Sequence, residues 1–501
     1  MGLKTWIARR WAKYRYQQIQ KITQNPWVYQ ERLFHYLLKI GKNTLYGKTY
    51  AFEKIKTYDD YRKQVPIVDY EGIKTYITYI FEKGQKNVLW KGLPAYFAKT
   101  SGTTSGTKFI PLSHEMMRCQ VKGARDALLC YIYHSQKPDF LNGKMMFLSG
   151  SPVLEKSPSG ILTGRLSGIS NHYVPAYLRT NQVPKYATNC IEDWEKKIAY
   201  IFEEVKNQDL RLISGIPPWV QMFFEYAEQQ TGKKPIEIWK NLQVFVQGGV
   251  DFTPYKPIFE KTLGKQVDIV EVFPASEGFI AIQENYKRED LLLMLDYGIF
   301  YEFIPMDDYG KPNARRLSLQ EVEMGVNYAL ILTTNAGLWA YDLGDTVQFT
   351  CLKPYRIKVT GRVKHFLSAF GEHVIQTEVN QAMQFACEKT NAMVQEFTVA
   401  PFVGDKLSFH EWFIEFEKYP SDFSFFIQLL DEKLQSLNVY YKDLRAGNML
   451  TKPVVHAIQL NASREYMKAE GKLGGQNKFP RLMNNRKIAN FLTNYILKTL
   501  E

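Results

Sequence analysis

Apolar residues recur at helical spacing through residues 3–83, and then shorter apolar runs separated by turn residues take over. The opening stretch, MGLKTWIARRWAKYRYQQIQKI, is basic and amphipathic, with Leu3, Ile7, Trp11 and Tyr14 on one helical face. A surface helix that packs this stripe on the body is expected, with a membrane-surface role as the alternative. LPAYFAKT reads as a short strand. A helix capped by Ser113 follows, SHEMMRCQVKGARDALLCYIYHS. GKMMFLSG and LRLISGI read as strands, and the second feeds a helix opened by Pro217 and Pro218. LQVFVQGG and QVDIVEVF are apolar strands with a helix between them, around Tyr255 to Leu263.

This alternation of helices with buried-type strands predicts an α/β fold with an at least partly parallel sheet. From Leu291 the texture changes. LLLMLDYGIFYEFIPM and NYALILTTNAGLWAYDLGDTVQFT predict antiparallel strands with turns at Tyr297-Gly298 and Ala336-Gly337. Past GRVKHFLSAFGEHV come a helix, strands in SFHEWFIEFE and VVHAIQL, and further helices, enough for a small α+β domain. The boundary is expected near Gly361 to Lys364, giving domains 1–361 and 362–501.

Composition narrows the class. The chain has 501 residues, 45% hydrophobic and 23% charged, as an enzyme-sized globular protein would. Its net charge of +13 favours anionic ligands, nucleotides included. The basic residues are scattered and no nucleic-acid-binding signature is present, so no nucleic acid partner is expected. Cys119, Cys130, Cys190, Cys351 and Cys387 lie far apart, with no CxxC pair, which suits a reducing cytoplasm rather than a disulfide or zinc framework. No apolar run reaches the ~20 residues of a membrane span, and no stable membrane association is expected.

The most telling stretch is TSGTTSGTKFIPLS. Six Gly, Ser and Thr residues, Ser101, Gly102, Thr103, Thr104, Ser105 and Gly106, precede Lys108. Such a loop offers backbone N–H groups, hydroxyls and a cation to phosphate oxygens, although a solvated turn has the same composition. It is not a Walker loop: the glycines are one residue too close, and Phe109 follows the lysine. Glu277, after an apolar strand in FPASEGF, is sited to hold Mg²⁺ beside a triphosphate. Asp345 in YDLGD stands where a carboxylate can accept both hydroxyls of a ribose. Gly248 and Gly249 offer bare backbone to a flat base, and Arg362 and Lys364 sit at the expected hinge.

The order of these motifs resembles the adenylate-forming superfamily of acyl-CoA synthetases, peptide-synthetase adenylation domains and luciferases. Within it, TSGTTSGTKFIPLS, SGIPPWVQMFFE, FPASEGF and GGQNKFPRL are most similar to the auxin-responsive acyl-acid amido synthetases, the GH-three family. The resemblance implies a large N-terminal adenylate-forming domain of mixed sheets and helices, and a smaller, mobile α+β lid. It implies adenylation of a small-molecule carboxylic acid by ATP with Mg²⁺, followed by transfer to an amino acid, in a cytoplasmic monomer or weak dimer. Ala275 and Ser276 would line the nucleotide site, Tyr341 would seat the adenosine, Arg362 would steady it, and Lys478, or else Lys472, would be the lid lysine. Trp219, Met222 and Arg165 are candidates for the acyl pocket. Two departures stand out: Asp342 where the plant enzymes carry arginine, and FGEHV, nearer the CoA ligases, with His373 near the usual lysine position. A CoA ligase is therefore the alternative enzyme, and a non-catalytic nucleotide-binding protein the alternative of another class.

Overall fold

A computed structural model describes residues 3–101, 107–174, 179–191, 193–248, 252, 256–263, 267–363, 366–367, 374–403, 408–446, 450–474, 477–483 and 485–500. The chain divides into two compact units, residues 1–249 with 265–359, and residues 250–264 with 360–501.

The first unit is built on a twelve-stranded mixed sheet. Its parallel part comprises Gln182–Val183, Lys144–Phe147, Leu210–Ser214, Val244–Gly248 and Asp268–Ala275. The strand Gly278–Ile282 turns back antiparallel on Asp268–Ala275, and the remaining pairings described are antiparallel. The order of apolar runs anticipates this switch, with one exception. Leu291–Leu293 does not form a hairpin with Ile299–Pro305; it pairs with Gly278–Ile282 and with Tyr355–Arg362. The link between them is drawn elsewhere, because Asp296 accepts from Lys122 Nζ (2.5 Å) and Arg15 Nη2 (3.1 Å), while the Tyr297 hydroxyl donates to Asp126 (2.8 Å).

A second, four-stranded sheet contains the strands on either side of the Gly/Ser/Thr stretch. Tyr96–Ser101 and Thr107–Leu112 pair antiparallel, with Ser101 opposite Thr107 and Thr100 opposite Lys108. The sequence reading saw only the first of these strands. The helix His114–Ser135 follows at once, with the Ser113 hydroxyl accepting from the Met116 N–H at 2.9 Å.

The N-terminal helix, Leu3–Gln24, packs differently from the sequence expectation. Ile7, Trp11 and Tyr14 are 49%, 38% and 60% exposed, so the large apolar stripe faces outward. Thr5, Ala8, Ala12, Arg15, Ile19 and Ile22 face the body instead. Small side chains let the helix approach His114–Ser135 closely, and Arg15 decides the rotation. Its Nε donates to the fully buried Asp126 at 2.8 Å, and Tyr16 stacks on Tyr133 at 4.1 Å. With the Trp11 face turned inward, Arg15 and Asp126 would lose each other, a heavier loss than an exposed tryptophan.

The second unit is α+β. Its sheet runs Met393–Val403, Ser408–Lys418, Val454–Ile458, Ile496–Leu500, with antiparallel, parallel and antiparallel pairings. Alternation along the second strand sends Trp412 and Ile414 to one face, against Gln376–Thr390 and Phe423–Leu437, and Phe413 to the other, against Ala462–Ala469 and Lys487–Leu492.

Asp126 receives Arg15, Arg125 and Tyr297 together. Asp126→Ala leaves the buried Arg15 side chain short of its partner and is expected to cost about 3–5 kcal/mol, read as a lower urea midpoint. A loss below about 1 kcal/mol would contradict the role given to this cluster.

Candidate active site

Four segments distant in sequence meet in the first unit. The first is the extended stretch before the helix Tyr70–Phe81. Val68 forms a parallel bridge to Tyr341: its N–H donates to Ala340 O (3.1 Å), and its carbonyl accepts from Asp342 N (2.8 Å). Asp69 then caps the helix, accepting from Glu71 N (3.1 Å) and Gly72 N (3.3 Å), which sets Tyr70 at its first position, 4% exposed.

Tyr70 secures the base of the phosphate-loop candidate. Its hydroxyl accepts from the Phe109 N–H at 2.9 Å, and the Lys108 ammonium lies 5.4 Å above its ring. Lys108 is thus oriented from outside its own strand. Gly102, Thr103, Thr104, Ser105 and Gly106 lie outside the described residues, as do Gly249 and His373; of Ser101 only the backbone pairing enters the account.

The third segment is the turn of Ser276 and Glu277, closed by the pairing of Ala275 with Gly278. Gln120, on the helix after the loop, donates to Ala275 O at 2.8 Å and fixes the turn. Ser276 is buried and Glu277 half-buried.

The fourth is the start of the strand Tyr341–Leu352. Asp342 faces Ile331 and Thr346 faces Ala329, so Leu343, Gly344 and Asp345 together oppose Leu330 alone. This bulge re-aims Asp345, and Gly344 sits at φ +79°, a conformation that favours glycine. Asp342, the departure from the plant pattern, holds the bulge: it accepts from Gly344 N (2.8 Å) and from the Tyr309 hydroxyl (2.5 Å). Tyr341 is 1% exposed. Burial first, and then the nearby carboxylates of Glu277, Asp342 and Asp69, hold its phenol far above the ordinary tyrosine range. Glu277, Asp69 and Tyr341 therefore share one electrostatic neighbourhood, next to the Tyr70 that carries Lys108.

Gly248 ends the strand beside Asp268–Ala275, where a methyl group would meet Val272 O at 2.4 Å. Its missing side chain is thus already used by the neighbouring strand. Beside it, Gln247 is 1% exposed, and neither amide atom has a hydrogen-bond partner among the described residues. A buried, unanswered amide is the kind of group that a ligand satisfies.

Two of the acyl-pocket candidates come to one wall. Trp219 is buried, its ring 4.8 Å from Trp194, and the Lys197 ammonium lies 5.8 Å over Trp194. Lys197 is 1% exposed and donates to Ser149 O (2.8 Å) and Asn189 O (2.7 Å). Among the described residues it has no carboxylate partner. Burial, with Arg165 nearby adding to it, lowers its ammonium to about 8. A neutral amine has two N–H donors, which matches the two carbonyls. Met222 is half-buried on the helix of Trp219.

Arg362 and Lys478 belong to the second unit, and both are exposed. Lys478 precedes a segment pinned to the strand Met393–Val403: Thr398 Oγ1 donates to Pro480 O (2.8 Å), Val399 N to Arg481 O (2.9 Å), and Arg481 Nε to Glu396 (2.6 Å). Lys472 is exposed and 3.9 Å from Glu470. Sequence reasoning missed Asp69, Tyr70, Trp194, Lys197 and Gln247. The one available signal was Lys197, a lysine inside the apolar stripe of Trp194, Ile198, Ile201 and Val205.

Comparison with known proteins fits this geometry. The fold is that of a solved acyl acid amido synthetase, AtGH3.15 in complex with 2,4-DB, which superposes with a TM-score of 0.81 at 15% identity over 98% of this chain and 97% of that one. The N-terminal, central and C-terminal domains of the GH3 family match residues 15–201, 292–362 and 377–487, and the chain belongs to that family. Among curated relatives it is 24% identical over 400 residues to indole-3-acetic acid-amido synthetase GH3.4 of Arabidopsis thaliana, covering 66% of each chain. It is 20% identical to the probable indole-3-acetic acid-amido synthetase GH3.1 of that plant, covering 96% of this chain and 93% of the relative. To the jasmonoyl-L-amino acid synthetase JAR4 of Nicotiana attenuata it is 21% identical, covering 66% and 68%.

The lowered Lys197 value has a testable sign. Below about pH 8 the lysine is charged in both folded and unfolded chains, and the burial penalty is full. Between there and the unfolded value of ~10.4 only the unfolded chain keeps the proton, so the stability of the wild type rises with pH. Relative to Lys197→Met, the wild type should gain up to about 1.4 kcal/mol per pH unit across that window in urea unfolding. A difference that stays constant with pH would contradict a lowered ammonium.

Proposed function

We propose that this protein is an ATP-dependent acyl-acid amido synthetase, a ligase that joins a carboxylic acid to an amino acid. The observation that carries this reading is the gathering of Lys108, Glu277, Tyr341 and the Asp345 bulge around Tyr70 and Asp69. Activating a carboxylate needs no protein nucleophile. The acid's own oxygen attacks the α-phosphorus of ATP, pyrophosphate leaves, and the resulting acyl adenylate is attacked at its carbonyl carbon by the amine, with AMP as leaving group. The protein's work is to align these groups and to meet the spreading negative charge.

Lys108 and the Ser101 to Gly106 loop meet the β- and γ-phosphates. Asp345 accepts the ribose hydroxyls, with Tyr341 beneath them. Ala275, Ser276, Gly248 and Gly249 line the nucleotide, and Arg362 is assigned to steady it. No cluster of three or more metal-binding side chains exists among the described residues. A Mg²⁺ would arrive with the triphosphate and be held on the protein side by Glu277; when bound, it would supply charge neutralisation to the phosphates. Lys478 reaches the α-phosphate as the lid lysine. The Trp194–Trp219 wall and Arg165 suit an acid with a flat apolar body. The five cysteines are free, as the ATP-rich, reducing cytoplasm would keep them.

Pyrophosphate release across a panel of carboxylic acids, with mass spectrometry of the product, tests the reading. An acid-dependent release and an amide product are expected. A thioester formed with CoA would instead make it a CoA ligase, and ATP binding with no release for any acid would make it a non-catalytic binder. Lys478→Ala should slow ATP–pyrophosphate exchange by ~10²–10³, or ~2.7–4 kcal/mol of barrier; an unchanged rate would rule out that lysine.

A further inference from the structure

We propose that the outward face of the N-terminal helix is a docking surface for anionic lipid headgroups, holding the protein reversibly at a membrane surface. The helix buries its small face against the body and presents Trp6, Ile7, Trp11 and Tyr14 to solvent, at 51%, 49%, 38% and 60% exposure. Three of these four are tryptophan or tyrosine, whose rings settle at the boundary between headgroups and acyl chains.

The charges on the same element identify the occupant. The 22 residues contain no aspartate or glutamate and six cations. Three of the six are tied to the body: Lys4 donates to Leu141 O (2.5 Å), Arg9 to Gln136 O (2.7 Å), and Arg15 to Asp126 and Asp296. Arg10, Lys13 and Lys21 are exposed and form no ion pair among the described residues. Arg10 lies 5.2 Å over the Trp6 ring, and Arg125 lies 5.2 Å over Trp11 from the neighbouring helix. Cations and interfacial aromatics are thus interleaved on one face, the pattern of a helix lying in the plane of an anionic surface.

Charge complementarity argues against a second copy of this chain as the occupant. A two-fold interface would set this face against itself, cation on cation, with no carboxylate of the helix to relieve it. No helix of the described residues is long and apolar enough to cross a membrane, so attachment is peripheral.

Flotation of the full chain with vesicles tests the proposal without ATP or an acid, so its outcome is independent of the synthetase reading. Vesicles of phosphatidylcholine with roughly one third phosphatidylglycerol should carry at least about tenfold more protein than phosphatidylcholine alone at about 50 mM salt. That binding should fall away at about 500 mM salt, where exposed charges are screened. Trp6→Ser/Trp11→Ser and Arg10→Glu/Lys13→Glu should each lose about tenfold while keeping the wild-type urea midpoint, because these side chains are exposed. Equal binding to both vesicle types, or binding that both variants retain, would overturn the proposal. So would a dimer in sedimentation that Trp6→Ser/Trp11→Ser dissociates, which would assign the face to a second copy.

Discussion

Two backbone hydrogen bonds, from Val68 N to Ala340 O and from Asp342 N to Val68 O, hold the candidate site together. They join a segment near the start of the chain to the strand that opens at Tyr341, across more than half of the sequence. Everything at the site follows from that join. Asp69, next to the bridge, caps the helix Tyr70–Phe81, and Tyr70 at its first position meets Phe109 N and Lys108. Tyr341 is enclosed by the same join, next to the turn carrying Glu277. A bridge of this kind tolerates almost any side chain at Val68, because backbone atoms carry it.

The electrostatic design is asymmetric. Asp69, Glu277 and Asp342 lie near Tyr341, beside the Tyr70 ring over which Lys108 sits, and Asp345 stands on the adjoining bulge. Two of the four carboxylates are committed to backbone geometry: Asp69 to a helix N-terminus, and Asp342 to the bulge at Gly344. Glu277 and Asp345 stand instead at a strand turn and on the bulge, positions where a carboxylate can meet a ligand. Under the proposed synthetase reading, a Mg²⁺ travelling with the nucleotide would offset the charge of these carboxylates toward the phosphates. The Trp194–Trp219 wall is balanced differently: Lys197 is kept by two carbonyls, with no carboxylate partner among the described residues, so burial pushes it toward the neutral form.

The motifs were legible in the sequence because each sits at a strand end or a bulge, where short runs of small residues occur: the residues before Lys108, the small residues before Glu277, the glycine before Asp345. What remained illegible depends on contacts between distant segments. Tyr70 belongs to no motif and acts only because Val68 is joined to Tyr341. Asp342 stands out in the sequence only as a departure from the plant pattern, whereas the structure uses it to shape the bulge. The N-terminal helix shows the limit most clearly. Its large residues form the stronger apolar stripe, yet Ala8, Ala12 and Ile19 face inward, because periodicity could not reveal that Arg15 would find Asp126 and Asp296 on that side. The partner of Leu291–Leu293 was hidden for the same reason, since Asp296 and Tyr297 draw the following link away.

The central claim is that these separated residues surround one nucleotide, with Lys108 at its phosphates. An acyl-phosphate derivative of ATP transfers its acyl group to a lysine lying beside the bound phosphates, and peptide mass spectrometry identifies which lysine is marked. The account predicts acylation of Lys108, suppressed by excess ATP and lost when Glu277→Ala and Asp345→Ala weaken nucleotide binding. Labelling spread over surface lysines and insensitive to ATP would contradict it.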